Sequence, residues 1–437
     1  MSRPGAKRLL LLIPTSTYRT EDFVEAAQRL DVDLVIASER PNALSEHLPD
    51  HLLALPFDDP PAAARRLVDY ARRRPIDAVV PVDDATTVVG ATVAHALGLR
   101  ANPVAAAAAT RNKLVMRSAL AAAGVPGPAF TSFAVTDAPD VASRAVGYPC
   151  VLKPLGLSAS RGVIRANDPD EFATAFRRIV ALLADPEVQA LAPGDRLLVE
   201  RFVPGVEVAL EGLLEGGVLH TLALFDKPDP LDGPYFEETI YVTPSRLPAE
   251  TQAAIAHVTA RAAAALGLLE GPVHAELRVN GDGPFLLELA ARSIGGLCSR
   301  TLRFGTGMSL EEIILRQALA LPIASLEREA RAAGVMMVPI PRRGVLEEVQ
   351  GLEEARALPL IEEVTISAHK GEELIPLPEG HRYLGFIFAR AATPAAAEAA
   401  LREAHARLRF DLSGGPDMAP TPPTLGPPRR SRGGPRS

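Results

Sequence analysis

Apolar residues along this chain recur with two periods, and the switches between them outline its elements. The runs Arg8–Ile13, Val32–Ala37 and Ile76–Val82 read as buried strands, and Glu21–Leu30, Pro61–Arg74 and Ala85–Leu97 read as the helices between them. Strands alternating with helices predict a parallel sheet flanked by helices. Pro103–Ala123 reads as one alanine-rich helix, closed by the Pro/Gly linker 124–128. Strands are then expected at Ala129–Val135, Tyr148–Pro154 and Arg196–Phe202, with helices near Asp137–Val146 and over Asp168–Leu183. After Glu207 the pattern alternates strictly, turns at Glu215-Gly216-Gly217 and returns, and Ala249–Leu266 is helical. Further on, Ser309–Ala320 and Pro394–Leu408 read as helices around strands at Ala333–Pro341, Gly344–Val349, Ile361–Ile366 and Arg382–Ala389.

The sharpest alternation lies between Gly271 and Gly296. Val273, Ala275, Leu277 and Val279 alternate with His274, Glu276 and Arg278, and a second alternating run follows Asn280-Gly281-Asp282-Gly283. This is a β-hairpin pattern. A three-residue loop, Gly281-Asp282-Gly283, pairs Asn280 with Pro284 and sets Glu276 directly opposite Glu288. Two facing carboxylates repel unless something offsets them, and a hard divalent cation does so. A solvated face with Arg278 as counter-charge fits the hairpin too.

Composition narrows the setting. At 437 residues the chain exceeds a single core, so two to four subdomains are expected. Residues 413–437 hold seven prolines, five glycines and four arginines, which predicts a disordered tail. No apolar run reaches membrane-spanning length, and the apolar start is too short for a signal peptide, so a cytoplasmic location without membrane partners is expected. Two isolated cysteines give neither a disulfide framework nor a zinc pattern. A net charge of −7 without a dense basic block in the folded part argues against nucleic acid as a partner.

Lysine usage adds chemistry. Only five of the 46 basic residues are lysine: Lys7, Lys113, Lys153, Lys227 and Lys370. Where arginine is the default cation, a lysine marks a site needing a compact point charge; for Lys7 and Lys370 chance suffices. Lys153 ends a strand and precedes LGLSASRGV, whose Gly156, Ser158, Ser160, Arg161 and Gly162 suit a polyphosphate, although no Walker A sequence is present. Asp83 and Asp84 follow a strand's carboxyl end, where open sheets bind ligands; helix capping is the alternative. Glu200 and Glu207 flank Phe202-Val203-Pro204-Gly205, a strand-to-Pro-Gly break that can offer main-chain groups to a planar ligand. The segment with Lys227, Glu237, Glu238 and Tyr241 is a candidate substrate wall.

Taken in order, Lys113, Lys153 with its Gly/Ser loop, ERFVPGVE, His274-Ala275-Glu276 and Glu288-Leu289-Ala290-Ala291-Arg292 followed by Gly295-Gly296 resembles the ATP-grasp superfamily of carboxylate–amine ligases. The nearest likeness is to the L-amino-acid ligases, whose DK…ET…TPS segment matches Asp226-Lys227, Glu238-Thr239 and Thr243-Pro244-Ser245. The resemblance covers roughly Arg8 to Leu412. It implies an ATP-grasp fold of α/β and α+β parts: an N-terminal Rossmann-like domain over 1–102, the ATP-grasp domain over 103–330 with a lid subdomain at about 126–205, and a small C-terminal α+β subdomain over 331–412.

It also implies roles. Lys113 and Lys153 would bind the α- and β-phosphates of ATP, and the Ser158–Gly162 loop would close over the β- and γ-phosphates. Glu200 and the backbone near Phe202 and Val203 would receive adenine, and Glu207 the ribose. Glu276 and Glu288 would hold Mg²⁺ or Mn²⁺. Arg292 would face the transferred phosphoryl group and the substrate carboxylate, with Gly295 and Gly296 beside that substrate and Lys227, Glu238 and Tyr241 on its far wall. The implied reaction passes a phosphoryl group from ATP to a carboxylate, expected to belong to an amino acid, and joins the acyl phosphate to an amine; a homodimer is the family expectation. Ligation or carboxylation of another small metabolite would keep the same ATP site, and a non-catalytic nucleotide-binding relative is the remaining alternative. Ala290 stands where many relatives have asparagine, and Tyr241 where some amino-acid ligases have histidine.

Overall fold

The computed structural model describes residues 6–42, 44–192 and 194–414. The first strands and helices form a parallel sheet in the order Leu52–Ala54, Asp33–Ser38, Arg8–Leu12, Ala78–Pro81. Its buried Leu9–Leu12 run explains the unbroken apolar pattern, since parallel strands are covered on both faces. The strand Leu52–Ala54 has no counterpart in the expected elements; three residues are too few for a periodic signal.

The expected helix Pro103–Ala123 is two helices, Val104–Thr110 and Lys113–Ala122. Asn112 breaks it: its side chain accepts from the N–H groups of Leu114 and Val115 at 3.0 and 3.1 Å, a cap worth about 1 kcal/mol. The break places Lys113 at a helix start, where its N–H bonds Leu155 O at 3.0 Å, next to the Gly/Ser loop.

A separate antiparallel sheet, Phe130–Ala134, Arg196–Arg201, Cys150–Pro154, Ile164–Ala166, carries that loop between its last two strands and packs on the helix Pro169–Leu183. The largest sheet has eight strands, in the order Gly283–Ala290, Gly271–Asn280, Val206–Glu215, Val218–Lys227, Ile240–Thr243, Ala332–Val338, Gly385–Ala391, Ile361–Ile366. It runs unbroken across residue 330, because Ala332–Val338 pairs antiparallel with Ile240–Thr243. Ser413, the first residue of the expected tail, ends a strand, Arg409–Ser413, paired with Gly344–Gln350; from residue 415 the tail lies outside the described residues.

Period-2 alternation assigns the two faces of the central strands. Val208, Leu210, Val273, Ala275, Leu277, Leu286 and Leu289 pack against Ile255, Val258 and Ala262 of the helix Ala249–Leu266. The opposite face carries Glu207, Glu211, His274, Glu276, Arg278 and Glu288. No helix among the described residues is long and apolar enough to cross a membrane.

Candidate active site

In the hairpin, Glu276 does lie opposite Glu288, but by a different route from the one expected. The loop has two residues, since Asn280 pairs with Gly283 and Val279 with Pro284, and a bulge between Glu276 and Leu277 then shifts the register by one. Arg117 anchors the bulged strand, donating to Leu286 O at 2.7 Å and to Leu287 O. Downstream of the bulge Leu287, Glu288 and Ala290 face the cleft, whereas Leu286 and Leu289 stay in the core.

The cleft, about 380 Å³, lies where the N-terminal sheet, the lid sheet, the central sheet and the C-terminal segment meet. Lys113, Lys153, Ser158, Ser160, Arg161 and Glu200 line one end. Phe202, Val203 and Glu207 lie along its wall, and Glu276, Glu288, Arg292, Gly295 and Gly296, with Glu238 and Tyr241, line the remainder. Gly162 and Lys227, also expected there, do not line it. Gly162 (φ +72°) turns the loop and donates its N–H to Pro378 O at 2.8 Å. Lys227 is shut beneath the cleft, with Glu207 at 2.9 Å, Glu238 in direct contact and Glu276 at 3.6 Å. The carboxylate oxygens of Glu207, Glu238 and Glu276 lie within 4.8 Å of one another, so the Lys227 ammonium compensates a cluster that would otherwise repel itself. The three acids together hold its pKa well up despite burial.

Glu200, expected to face adenine, lines the cleft and is engaged by the protein's own cations. Its side chain is 2% exposed and bridges Arg117 and Lys153, each at 2.7 Å. Burial alone would raise its pKa, but those two cations hold it below the ordinary value. A carboxylate so committed fixes Lys153. Glu207 is likewise engaged, by Lys227 and by Arg278 Nε at 3.0 Å, and Arg278 in turn lies over the Phe202 ring at 4.9 Å.

Asp83 and Asp84 divide the two readings between them. Asp83 caps the helix Asp84–Ala96, its N–H bonded to Thr86 Oγ1 at 3.2 Å. Asp84 faces the cleft and pairs with Arg292 Nη2 at 2.9 Å and Arg111 at 3.4 Å. Burial opposes its charge, but these arginines bring its pKa down to about 2. Arg292 also donates to Ser293 O at 3.0 Å, and burial notwithstanding, Asp84 raises its pKa further. The guanidinium is thereby aimed along the cleft beside Glu288. Lys113 Nζ stands 3.3 Å from Glu288 and donates to Leu157 O at 2.6 Å. Tyr241 donates to Glu238 Oε1 at 2.8 Å, and burial followed by that carboxylate pushes its phenol far up.

The loop after Lys153 holds Ala159 and Ser160 at φ 54° and 53°, two consecutive left-handed residues that cost about 1–2 kcal/mol each. Contacts with the C-terminal segment keep it in place: Arg161 Nε donates to Glu379 O at 2.7 Å, and Arg178 is paired with the Glu379 carboxylate. That segment also sends Met337, His381 and Tyr383 to the cleft. His369, Lys370 and His381, expected on the surface, are exposed, though His381 is at the cleft's rim. Lys7 donates to Leu319 O, away from the cleft.

Sequence reading missed Arg117, Glu211 and the full part of His274. Arg117 follows Lys113 by one helical turn, and Glu211 follows Glu207 by four along one strand face, so both spacings held the signal.

Facing carboxylates supply hard oxygen donors, the set that Mg²⁺ or Mn²⁺ takes, and Ala290 adds none. Comparison with known families matches an ATP-grasp N-terminal domain over residues 24–100, an ATP-grasp domain over 146–301 and an L-amino acid ligase C-terminal domain 2 over 336–413. Alanine–anticapsin ligase of Bacillus subtilis (strain 168) is 27% identical over 266 residues, 57% of this chain and 55% of that protein. Carnosine synthase 1 of Gallus gallus is 32% identical over 238 residues, 51% of this chain and 25% of that one. The chain thus spans about half of the first relative's length and a quarter of the second's. The crystal structure of an L-amino acid ligase from Bacillus licheniformis superposes with a TM-score of 0.76 at 27% identity, covering 93% of this chain and 99% of that one.

Proposed function

We propose, from the membership of this chain in the ATP-grasp superfamily of carbon–nitrogen ligases allied to the L-amino-acid ligases, that it activates the carboxylate of one amino acid with ATP and joins it to the amine of another. The observation that carries this reading is the convergence on one cleft of two facing carboxylates, two lysines and an arginine: Glu276, Glu288, Lys113, Lys153 and Arg292. Binding alone does not require this set, whereas phosphoryl transfer does, because it depends on positioning and on neutralising charge over the transferred group.

In this reading Lys113 and Lys153 hold the phosphates, with Lys153 fixed by Glu200. The strained loop Ser158–Gly162 lies over them and excludes water that would hydrolyse an acyl phosphate. Arg292, oriented by Asp84, meets the carboxylate that attacks the γ-phosphorus. The carboxylate oxygen forms the new P–O bond as the bond to ADP breaks, and the amine then attacks the acyl carbon, expelling phosphate. Glu276 and Glu288 would hold a divalent cation, whose contribution is to offset phosphate charge. Gly295, whose Cβ position has nothing within 4 Å, leaves room for the substrate beside Arg292.

Phosphate release from ATP and Mg²⁺ across a panel of amino-acid pairs, with mass spectrometry of the products, tests the reading. A ligated product with stoichiometric ADP is expected for at least one pair. ADP without ligated product under every pair would refute it. Glu288→Gln should abolish turnover while leaving most of the fold's stability.

A further inference from the structure

Two buried residues that the proposed reaction does not use connect its two halves. Across the central strands His274 pairs in register with Glu211, and Glu211 is fully buried. Stranding a carboxylate in a protein interior costs several kcal/mol unless it is paired and hydrogen-bonded. Glu211 meets that demand with two groups, the imidazole of His274 and the backbone amide of Ile294. Its oxygens accept the backbone N–H of Ile294 at 3.0 and 3.1 Å and Nδ1 of His274 at 3.1 Å. Ile294 begins the turn into Gly295 and Gly296, two residues past Arg292. With Nδ1 spent on Glu211, the other imidazole nitrogen, Nε2, is turned toward Glu276 Oε1 at 3.5 Å. Burial disfavours the His274 charge, but the hydrogen bonds to Glu211 and Glu276 raise its pKa to about 8.

We infer that Glu211 is a positioning residue which, from one buried point, sets both the metal-binding carboxylate of Glu276, through His274, and the Arg292–Gly296 turn, through the Ile294 amide. This rests on the reading of Glu276 as a metal ligand. Neither Glu211 nor His274 has a hydrogen bond or ion pair with Glu200, Lys113 or Lys153; Lys153 pairs with Glu200, and Lys113 with Glu288 at 3.3 Å. The relay therefore acts on metal and turn while nucleotide contacts stay as they are. A carboxylate is suited to this because it accepts from two donors at once. A glutamine in its place accepts through one oxygen and presents an N–H₂ to the other donor.

The test needs no substrate. Mn²⁺ binding with ADP present is followed by electron paramagnetic resonance, and backbone exchange over residues 292–297 by hydrogen–deuterium mass spectrometry, in wild type, Glu211→Gln and His274→Gln. Both variants should bind Mn²⁺ about tenfold more weakly, the usual effect of losing a partner behind a metal ligand. Exchange at Ile294 should rise in Glu211→Gln and stay at the wild-type rate in His274→Gln, and metal-free ADP affinity should be unchanged in both. A purely structural Glu211 predicts a lower Tm with Mn²⁺ affinity intact, which would overturn the inference. So would wild-type Mn²⁺ affinity in His274→Gln, the variant that decides the matter if Glu211→Gln does not fold. No Mn²⁺ binding by the wild type would overturn both the inference and the metal reading, whereas a failure to find a ligated product leaves the Mn²⁺ result standing.

Discussion

The Glu200 carboxylate meets the Lys153 ammonium at 2.7 Å while its other oxygen takes Arg117 at the same distance. Glu200→Gln leaves the buried Arg117 and the partly exposed Lys153 without their shared counter-charge, and for the buried partner such a loss costs up to about 3–5 kcal/mol. Lys153 also loses the group that aims it. The expected result is a lower urea midpoint together with a KM for ATP raised by roughly tenfold, the worth of about 1.4 kcal/mol in binding. An unchanged KM would mean that Lys153 needs no such support.

Adjacent glycines should respond differently. At Gly296 (φ +59°) a Cβ would stand 2.9 Å from the Phe386 ring, whereas at Gly295 it would meet nothing within 4 Å. Gly296→Ala is expected to lose about 1–3 kcal/mol from the left-handed backbone and the collision. Gly295→Ala should keep the wild-type Tm and raise KM for the substrates. Calorimetry of the two variants checks the first statement and steady-state kinetics the second; equal Tm losses would contradict the placement.

Glu379 reaches the lid from the C-terminal segment, and its pair with Arg178 is half exposed. Such a pair is worth up to about 1 kcal/mol, roughly fivefold in an equilibrium. Glu379→Ala should therefore leave Tm nearly unchanged, speed tryptic cleavage after Arg161 by up to that factor and hasten ADP release. Cleavage at the wild-type rate would show that the main-chain bonds to Pro378 and Glu379 hold the loop by themselves.

Burial raises the Glu237 carboxyl to about 7 from an ordinary 4.5, against a smaller opposing effect from a backbone hydrogen bond with Ile340. A folded-state pKa above the unfolded one gives stability that is fully present below pH 4.5 and lost as pH rises through about 7. Glu237→Gln removes that loss. Its Tm advantage over wild type should grow between those pH values and level off above them. A difference that does not change with pH would place the Glu237 charge in water.

Much of the site was legible because it rests on local spacing. Strand alternation put Glu276 and Glu288 on one face, and a lysine followed by small residues marked a loop that does line the cleft. The paired carboxylates came out opposite each other even though the loop length was misjudged, because the bulge's extra residue, Leu287, offset the shorter turn. The bulge itself was not legible: it is stabilised by Arg117, whose bonds to Leu286 and Leu287 span about 170 residues. The engagement of Glu200 and Lys227 was hidden for the same reason, since ion pairs between strands depend on which strands become neighbours. The helix break at Asn112 was available locally, as a capping residue before Lys113, but alanine-rich sequence on both sides masked it.

The central sheet has a consequence for exchanging parts between relatives. Strand Ala332–Val338 has Gly385–Ala391 on one edge and joins the rest of the central sheet by the other, against Ile240–Thr243, nearly a hundred residues earlier; that short strand is bonded on its far side to Val218–Lys227, which carries Lys227. A C-terminal segment transplanted from another ligase must therefore match the edge offered by Ile240, Tyr241, Val242 and Thr243. A mismatch there would be felt along the sheet at the carboxylates that Lys227 holds. Chimeras joined at residue 330 should thus fail or succeed together with the four residues at 240–243, and a transferable cassette would begin at Lys227.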